Sequence, residues 1–177
     1  MSLEGVSLIA TTLHHLDAED MSAEKLCMLL GVAPPPSWPP LFNGPETREW
    51  FRGILRENRD SAEQLFFYVI ADLSGQKTLA GTAGYKGPAK QNGDIEIGYS
   101  IVPEFHRRGY ATAAVQLLTA RAFANENVQR VMADTLPSLV PSQGVLHKCG
   151  FSLAGKSDDP DEGEILHFAV SRPVSYN

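Results

Sequence analysis

The densest chemistry in the 177-residue sequence lies between Asp94 and Thr112. A strand-like run, Ile95-Glu96-Ile97-Gly98-Tyr99-Ser100-Ile101, passes through Val102-Pro103-Glu104-Phe105 into His106-Arg107-Arg108-Gly109-Tyr110-Ala111-Thr112, where a helical pattern opens. A strand entering a helix through a basic run and a glycine gathers free N–H groups and the positive end of a helix dipole at one point. That arrangement suits an anion such as a pyrophosphate. Along the strand, alternation places Glu96 on one face with Gly98 and Ser100, opposite Ile95, Ile97 and Tyr99. A carboxylate there can remove a proton from an ammonium group, directly or through a water, or it can simply face solvent. Farther on, the Ser142 hydroxyl can donate to a leaving group or cap a helix.

Other signals carry less. Gly150 to Ser157 spells GxxxxGKS, but a helical pattern precedes it, Phe151-Ser152-Leu153-Ala154 alternates as a strand, and acidic residues with Pro160 follow, so it lacks the setting of a phosphate loop. Gly81, Gly84 and Gly87 are spaced by threes and read as close packing or a bulge. The five histidines show no metal-ligand spacing, so no metal is expected. Cys149 reads as a packed thiol, and Cys27 is too distant in sequence to suggest a CxxC site.

These residues must be positioned by alternating elements. Leu8–Leu13 reads as a strand and Ala18–Leu30 as a helix with Asp17 at its N-cap. Ala33 to Pro40 holds five prolines in eight residues and must be an extended loop, with Trp38 offered as a pocket wall. Pro45 opens a second helix whose Trp50, Phe51, Ile54 and Leu55 share a face. Runs 65–72, 79–86 and 94–102 form an antiparallel meander, followed by a helix over 109–125 and a strand over 128–135. A short helix over 142–148 ends at Cys149-Gly150, and strands 151–154 and 164–171 close the order around an acidic turn. This is an α/β pattern with a mixed sheet, expected as one domain over residues 1–177.

Composition narrows the partners. Fifteen Lys and Arg against 21 Asp and Glu give a net charge of −6, which argues against nucleic acid and suits a cationic partner. No stretch approaches a membrane span and no secretory signal is evident, so a reduced, cytoplasmic protein is expected.

Glu96-Ile97-Gly98-Tyr99, Pro103-Glu104 and Arg108-Gly109-Tyr110-Ala111-Thr112 closely resemble the cofactor-binding core of GNAT N-acetyltransferases. Thr135-Leu136-Pro137, Ser142 and Val145-Leu146-His147-Lys148-Cys149-Gly150-Phe151 resemble the next strand and helix of the RimJ/RimL-like, ribosomal-protein acetyltransferase branch. The likeness spans roughly Leu8 to Ser171. It implies an α/β (α+β) fold with a mixed, mostly antiparallel twisted sheet flanked by helices, and bound acetyl-CoA. It places Ile101, Val102, His106, Arg107, Arg108, Gly109, Tyr110, Ala111 and Thr112 on the cofactor, with Glu96 as base and Ser142 as acid; Tyr99 and Trp38 are expected at the acceptor. The amides that polarise the thioester would come from a bulge in Gly98–Val102. His106 and Arg107 depart from the family's Gln or Arg and Gly, Leu139 stands where an Asn is frequent, and Leu146 replaces a frequent acid Tyr. The implied activity is acetyl transfer to a peptide α-amine or small cationic amine by direct attack, possible homodimerisation included. The alternative is a non-catalytic acyl-CoA sensor.

Overall fold

The alternation of strand and helix patterns resolves, in a computed structural model describing residues 2–3, 5–57 and 65–173, into one eight-stranded sheet with helices on both faces. The elements are β1 (Ser2–Leu3), β2 (Val6–Ala10), α1 (Leu13–Met21), α2 (Ala23–Leu30), α3 (Pro45–Glu57), β3 (Phe66–Leu73), β4 (Gln76–Tyr85) and β5 (Asp94–Ile101). A 3-10 turn (Pro103–Phe105), α4 (Tyr110–Ala124), β6 (Arg130–Thr135), α5 (Val140–Lys148), β7 (Ser152–Asp159) and β8 (Gly163–Ser171) follow. The strand order is β1-β2-β3-β4-β5-β6-β8-β7, antiparallel throughout except for β5 and β6. A parallel neighbour requires a crossover, and α4 supplies it.

Side-chain alternation divides the sheet. Ile95, Ile97 and Ile101 of β5 join Val115 and Leu118 of α4 in the main core, and the Tyr85 hydroxyl of β4 donates to the Leu118 carbonyl at 2.7 Å. Val115 and Leu118 are fully buried, and each contributes roughly 1.5–3 kcal/mol relative to exposure. On the other face, Leu26 and Cys27 of α2 pack on Tyr68, Ile70 and Leu79.

The first helical region departs from the pattern. β2 ends at Ala10, and α1 begins at Leu13 under a capping box in which His15 N–H donates to Thr12 Oγ1 at 3.2 Å and Thr12 N–H donates to His15 Nδ1 at 3.1 Å. Thr12, not Asp17, is the cap; Asp17 lies inside α1 and pairs with Arg52. The single helix expected over 18–30 is broken at Ser22, whose extended backbone ends α1 and whose hydroxyl caps α2, so among the described residues three helices precede β3. A polar residue able to satisfy the next helix's orphan N–H makes such a break inexpensive. α5 starts at Val140, which puts Ser142 within its first turn and excludes it as the N-cap; Leu139 holds that position with no side-chain bond. β7 runs to Asp159, so the GxxxxGKS segment is mostly an edge strand, followed by strand β8 rather than by a helix. Gly84 lies where a Cβ would meet the Leu65 carbonyl oxygen at 2.5 Å, so close packing explains it, while Gly87 has open space.

Two polar clusters hold the helices that border the site. Arg52 of α3 bonds Asp17 and Asp20 of α1 at 3.1 and 2.7 Å, and Glu49 at 2.8 Å. Glu19 is buried and accepts three hydrogen bonds, from Trp38 Nε1 (3.0 Å), Asn43 Nδ2 (2.9 Å) and the Tyr68 hydroxyl (2.8 Å). Burial pushes the Glu19 carboxyl up, and the three donors work against that rise. The Pro-rich loop and the segment after it are thereby fastened to α1 and β3. A carboxylate facing only donors tolerates no amide in its place. Glu19→Gln and Glu19→Ala are each expected to destabilise the protein by about 2–4 kcal/mol, read from urea unfolding midpoints with an unchanged slope.

Candidate active site

β5 and β6 pair only from Asp94↔Arg130 to Ile97↔Ala133 and then separate, although β5 continues to Ile101 and β6 to Thr135. Beyond that point each strand stays with its outer neighbour, β5 with β4 to Gly81↔Ile101 and β6 with β8 to Thr135↔Leu166. Lys86 N–H donates to the Glu96 carbonyl and Val102 N–H to the Ala80 carbonyl, both at 2.9 Å. Backbone groups of even-numbered β5 residues therefore turn toward β4, and those of Tyr99 and Ile101 turn toward the gap. No bulge supplies this opening: the β4–β5 register is unbroken, and the sheet's irregularities lie at Val69/Ile70 and Leu153/Gly155. Divergence of the strands replaces the expected bulge.

The gap widens into a cleft of about 340 Å³. Phe42, Trp50, Phe51 and Phe66 form an aromatic wall, with Trp50 5.3 Å from Phe51 and 5.8 Å from Phe66 between ring centres. Ser100 Oγ donates to the Leu41 carbonyl, which fixes the segment carrying Phe42 against β5. Asp134 of β6 and Glu162, from the acidic turn between β7 and β8, are both among the lining residues.

Tyr99 and Ser142 line the cleft together. The Tyr99 hydroxyl lies 3.0 Å from Ser142 Oγ and 3.2 Å from the Ser142 carbonyl oxygen. Burial pushes the Tyr99 hydroxyl up to about 12, so it remains a proton donor at neutral pH. When Tyr99 donates to Ser142 Oγ, the serine's own proton is free for another acceptor.

At the Ile101 end, the chain turns through Arg107 (φ 60°) and Gly109 (φ 87°) into α4. No side chain caps α4, and Gly109 has open space where a Cβ would stand, which leaves its first N–H groups free for an anion. Arg107 and Arg108 are exposed, Arg108 over the Phe105 ring at 6.0 Å, and Tyr110, Ala111 and Thr112 form the first turn. His106 is turned back on the strand, its Nε2 2.7 Å from the Ile101 carbonyl oxygen, while Val102 is fully buried.

Two expected residues sit differently. Glu96 shares a face of β5 with Gly98 and Ser100, but its side chain pairs with Lys86 and it does not line the cleft; Lys86 does. Trp38 is absent from the lining, because its indole N–H is committed to Glu19 and its ring to Tyr68. Burial raises the Cys149 thiol to about 11, which suits packing rather than attack. Among the described residues no cluster of three or more His, Cys, Asp or Glu could hold a metal, and no helix is long and apolar enough to cross a membrane.

The family model for the GNAT acetyltransferase domain matches residues 8–152. The chain belongs to this family. It is an acetyl-CoA-dependent N-acetyltransferase of the RimJ/RimL type. It is 31% identical to the uncharacterised N-acetyltransferase YjdG of Bacillus subtilis, over 80% of this chain and 83% of that one. Among solved structures, a GNAT acetyltransferase from Bacillus anthracis matches with a TM-score of 0.65 at 19% identity, covering 97% of each chain. A RimL ribosomal-protein α-N-acetyltransferase in complex with coenzyme A matches at 0.66 and 17%, covering 96% of this chain and 95% of that one.

Within this GNAT fold, sequence reasoning overlooked Asp134 and His167. His167 Nδ1 lies 2.7 Å from Asp134 Oδ1, and its Nε2 lies 2.8 Å from Ser157 Oγ. Their separation in sequence hid them; the signal available was alternation, which puts Asp134 on the face opposite Ala133. Trp50 and Phe51 were read only as a packing face. Gly98 borders the cleft with nothing nearer a Cβ than Lys86 Cε at 3.9 Å, so Gly98→Ala adds a methyl to the cleft floor without a clash. Amine turnover is expected to fall at least about tenfold while the unfolding temperature stays within about 2 °C, by coupled assay and thermal melt.

Proposed function

We propose that the cleft acetylates a primary amine, either a peptide α-amine or a small cationic amine, by direct attack rather than through an acylated side chain. The observation that carries this reading is the gap between β5 and β6, where open backbone edges, the Ser142–Tyr99 pair and the uncapped start of α4 adjoin.

The residues present fit acetyl-CoA. The first-turn N–H groups of Tyr110, Ala111 and Thr112, with Arg107 and Arg108 beside them, would hold its phosphates; charge-assisted bonds from arginine strengthen such contacts. Ile101 would offer its inward N–H to the cofactor's amide chain, and His106 takes the Ile101 carbonyl and stiffens the turn. When bound, acetyl-CoA supplies an electrophilic thioester carbon and a thiolate leaving group. Ser142 Oγ, supported by the Tyr99 hydroxyl, donates a hydrogen bond at the sulfur position. The inward N–H of Tyr99 is the chain's donor for the carbonyl oxygen. Asp134 and Glu162 attract the ammonium form of the acceptor, and the aromatic wall excludes water from the amine once it is neutral. The Lys86–Glu96 pair braces the floor beneath Gly98. Likeness to a RimL acetyltransferase supports a peptide α-amine among the acceptors.

Acetyl-CoA is expected to raise the unfolding temperature where ATP does not, and Arg107→Ala with Arg108→Ala to weaken its binding by about 10–100-fold, more so as salt is lowered. Ser142→Ala is expected to lower kcat by about 100-fold with acetyl-CoA affinity nearly unchanged, by calorimetry and thiol release. Stabilisation by ATP alone, or undiminished kcat in Ser142→Ala, would count against this reading.

A further inference from the structure

Three strands place a polar relay beside the acceptor half of the cleft. Asp134 is the first β6 residue past the last residue paired with β5, so its side chain stands where the strands part. In the parallel register Ala133 shares the face of Ile97, which puts Asp134 on the face of Gly98 and Ser100. His167 of β8 is its direct cross-strand partner and Ser157 of β7 lies beyond. The contacts run 2.7 Å from Asp134 Oδ1 to His167 Nδ1 and 2.8 Å from His167 Nε2 to Ser157 Oγ. One tautomer satisfies both: Nδ1–H donates to the carboxylate, and Nε2 accepts from the serine hydroxyl. Asp134 Oδ1 is engaged by His167, which leaves Oδ2 as the oxygen not used in that contact, and Asp134 lines the cleft. By contrast Glu96, on the same face, is held by Lys86 and does not line it.

We propose that Asp134 is the acceptor-side catalytic residue, binding the substrate ammonium and taking its proton at Oδ2, and that His167, backed by Ser157, is the positioning residue that aims it. The inference rests on the reading of the cleft as an amine acetylation site. In the step, one N–H bond of the ammonium breaks and its electron pair stays on nitrogen as the attacking lone pair. An O–H bond forms on Asp134, and the proton then leaves to solvent at the partly exposed rim. The substrate class is a primary amine carrying an apolar or aromatic group, because Asp134 and Glu162 share the cleft with Phe42, Trp50, Phe51 and Phe66. Around Asp134 the charged groups of the lining are Glu162 and Lys86, and His167 is the titratable group in contact with it.

The probes are benzylamine, charged at neutral pH, and benzyl alcohol, its neutral counterpart, both titrated against the ¹⁵N-histidine-labelled protein without acetyl-CoA. Benzylammonium is expected to shift the His167 ring signals and to bind at least about tenfold more tightly to the unsubstituted protein than to Asp134→Asn, with no such difference for benzyl alcohol. With acetyl-CoA and benzylamine, Asp134→Asn is expected to lower kcat/KM by about 100-fold or more. His167→Ala should lower it by about tenfold and move the acidic limb of the pH profile, and His167→Gln, which keeps a donor toward Asp134, should restore part of the loss. Equal binding of benzylammonium to the unsubstituted protein and Asp134→Asn, or no preference over benzyl alcohol, overturns the proposal. So does an Asp134→Asn enzyme of unchanged kcat/KM beside an inactive Glu96→Gln enzyme. Acetyl-CoA binding by calorimetry separates the two readings: its absence in the unsubstituted protein defeats the cleft assignment itself, whereas its presence with an indifferent Asp134→Asn defeats only the role of Asp134.

Discussion

The site depends on a sheet that stops pairing in its middle. Four residues of β5 bond to four of β6, and then each strand follows its outer partner, because β4 and β8 continue to offer a complete ladder. Backbone groups left between them must find partners or face solvent. One is met internally, the Ile101 carbonyl by His106. The others form an edge toward which a ligand with amide groups can act as a surrogate strand. A sheet interior is otherwise a poor place for a binding site, since its polar groups are already consumed; divergence releases a few of them within a rigid frame.

Charge is divided across this opening. The chain is acidic overall, yet the turn into α4 carries consecutive arginines beside an uncapped helix start, while the acceptor face brings Asp134 and Glu162 to the cleft. On the proposed reading, a polyanionic cofactor and a cationic acceptor would approach from sides whose local fields favour each. Global net charge sets solubility and the sign of long-range attraction, whereas the first turn of a helix acts over a few ångströms. The two are compatible because screening confines the latter to its neighbourhood.

Much of this architecture was legible in the sequence. The meander, the crossover helix α4 and the strand-to-helix turn at His106–Gly109 follow from period-2 and helical spacing, and the face alternation of Glu96, Gly98 and Ser100 was as read. The failures are tertiary. Ser22 breaks a continuous helical pattern because its hydroxyl can serve a second helix, which no apolar period reveals. Glu96 pairs with Lys86 on the adjacent strand, and nothing local forecasts that pairing. Trp38 stood out as a large ring in a Pro-rich loop, yet a buried carboxylate nineteen residues earlier determines where it points. The Asp134–His167–Ser157 contacts join three strands and need the register of all three to be known.

The Glu19 cluster has a consequence for how such an enzyme diversifies. It anchors the segment leading to Phe42, and Arg52 anchors the helix carrying Trp50 and Phe51, so the aromatic wall hangs from α1. The cofactor turn hangs from β5 and α4, on the opposite side of the sheet. Ser100 of β5 ties the two together at one point, through the Leu41 carbonyl, so exchanges at Phe42 and Trp50 that leave the Asn43 and Glu49 anchors in place reshape the wall and spare the turn into α4. Acceptor choice and donor chemistry are separable inheritances in this fold, and a new substrate lies within reach of a few exchanges in one short stretch.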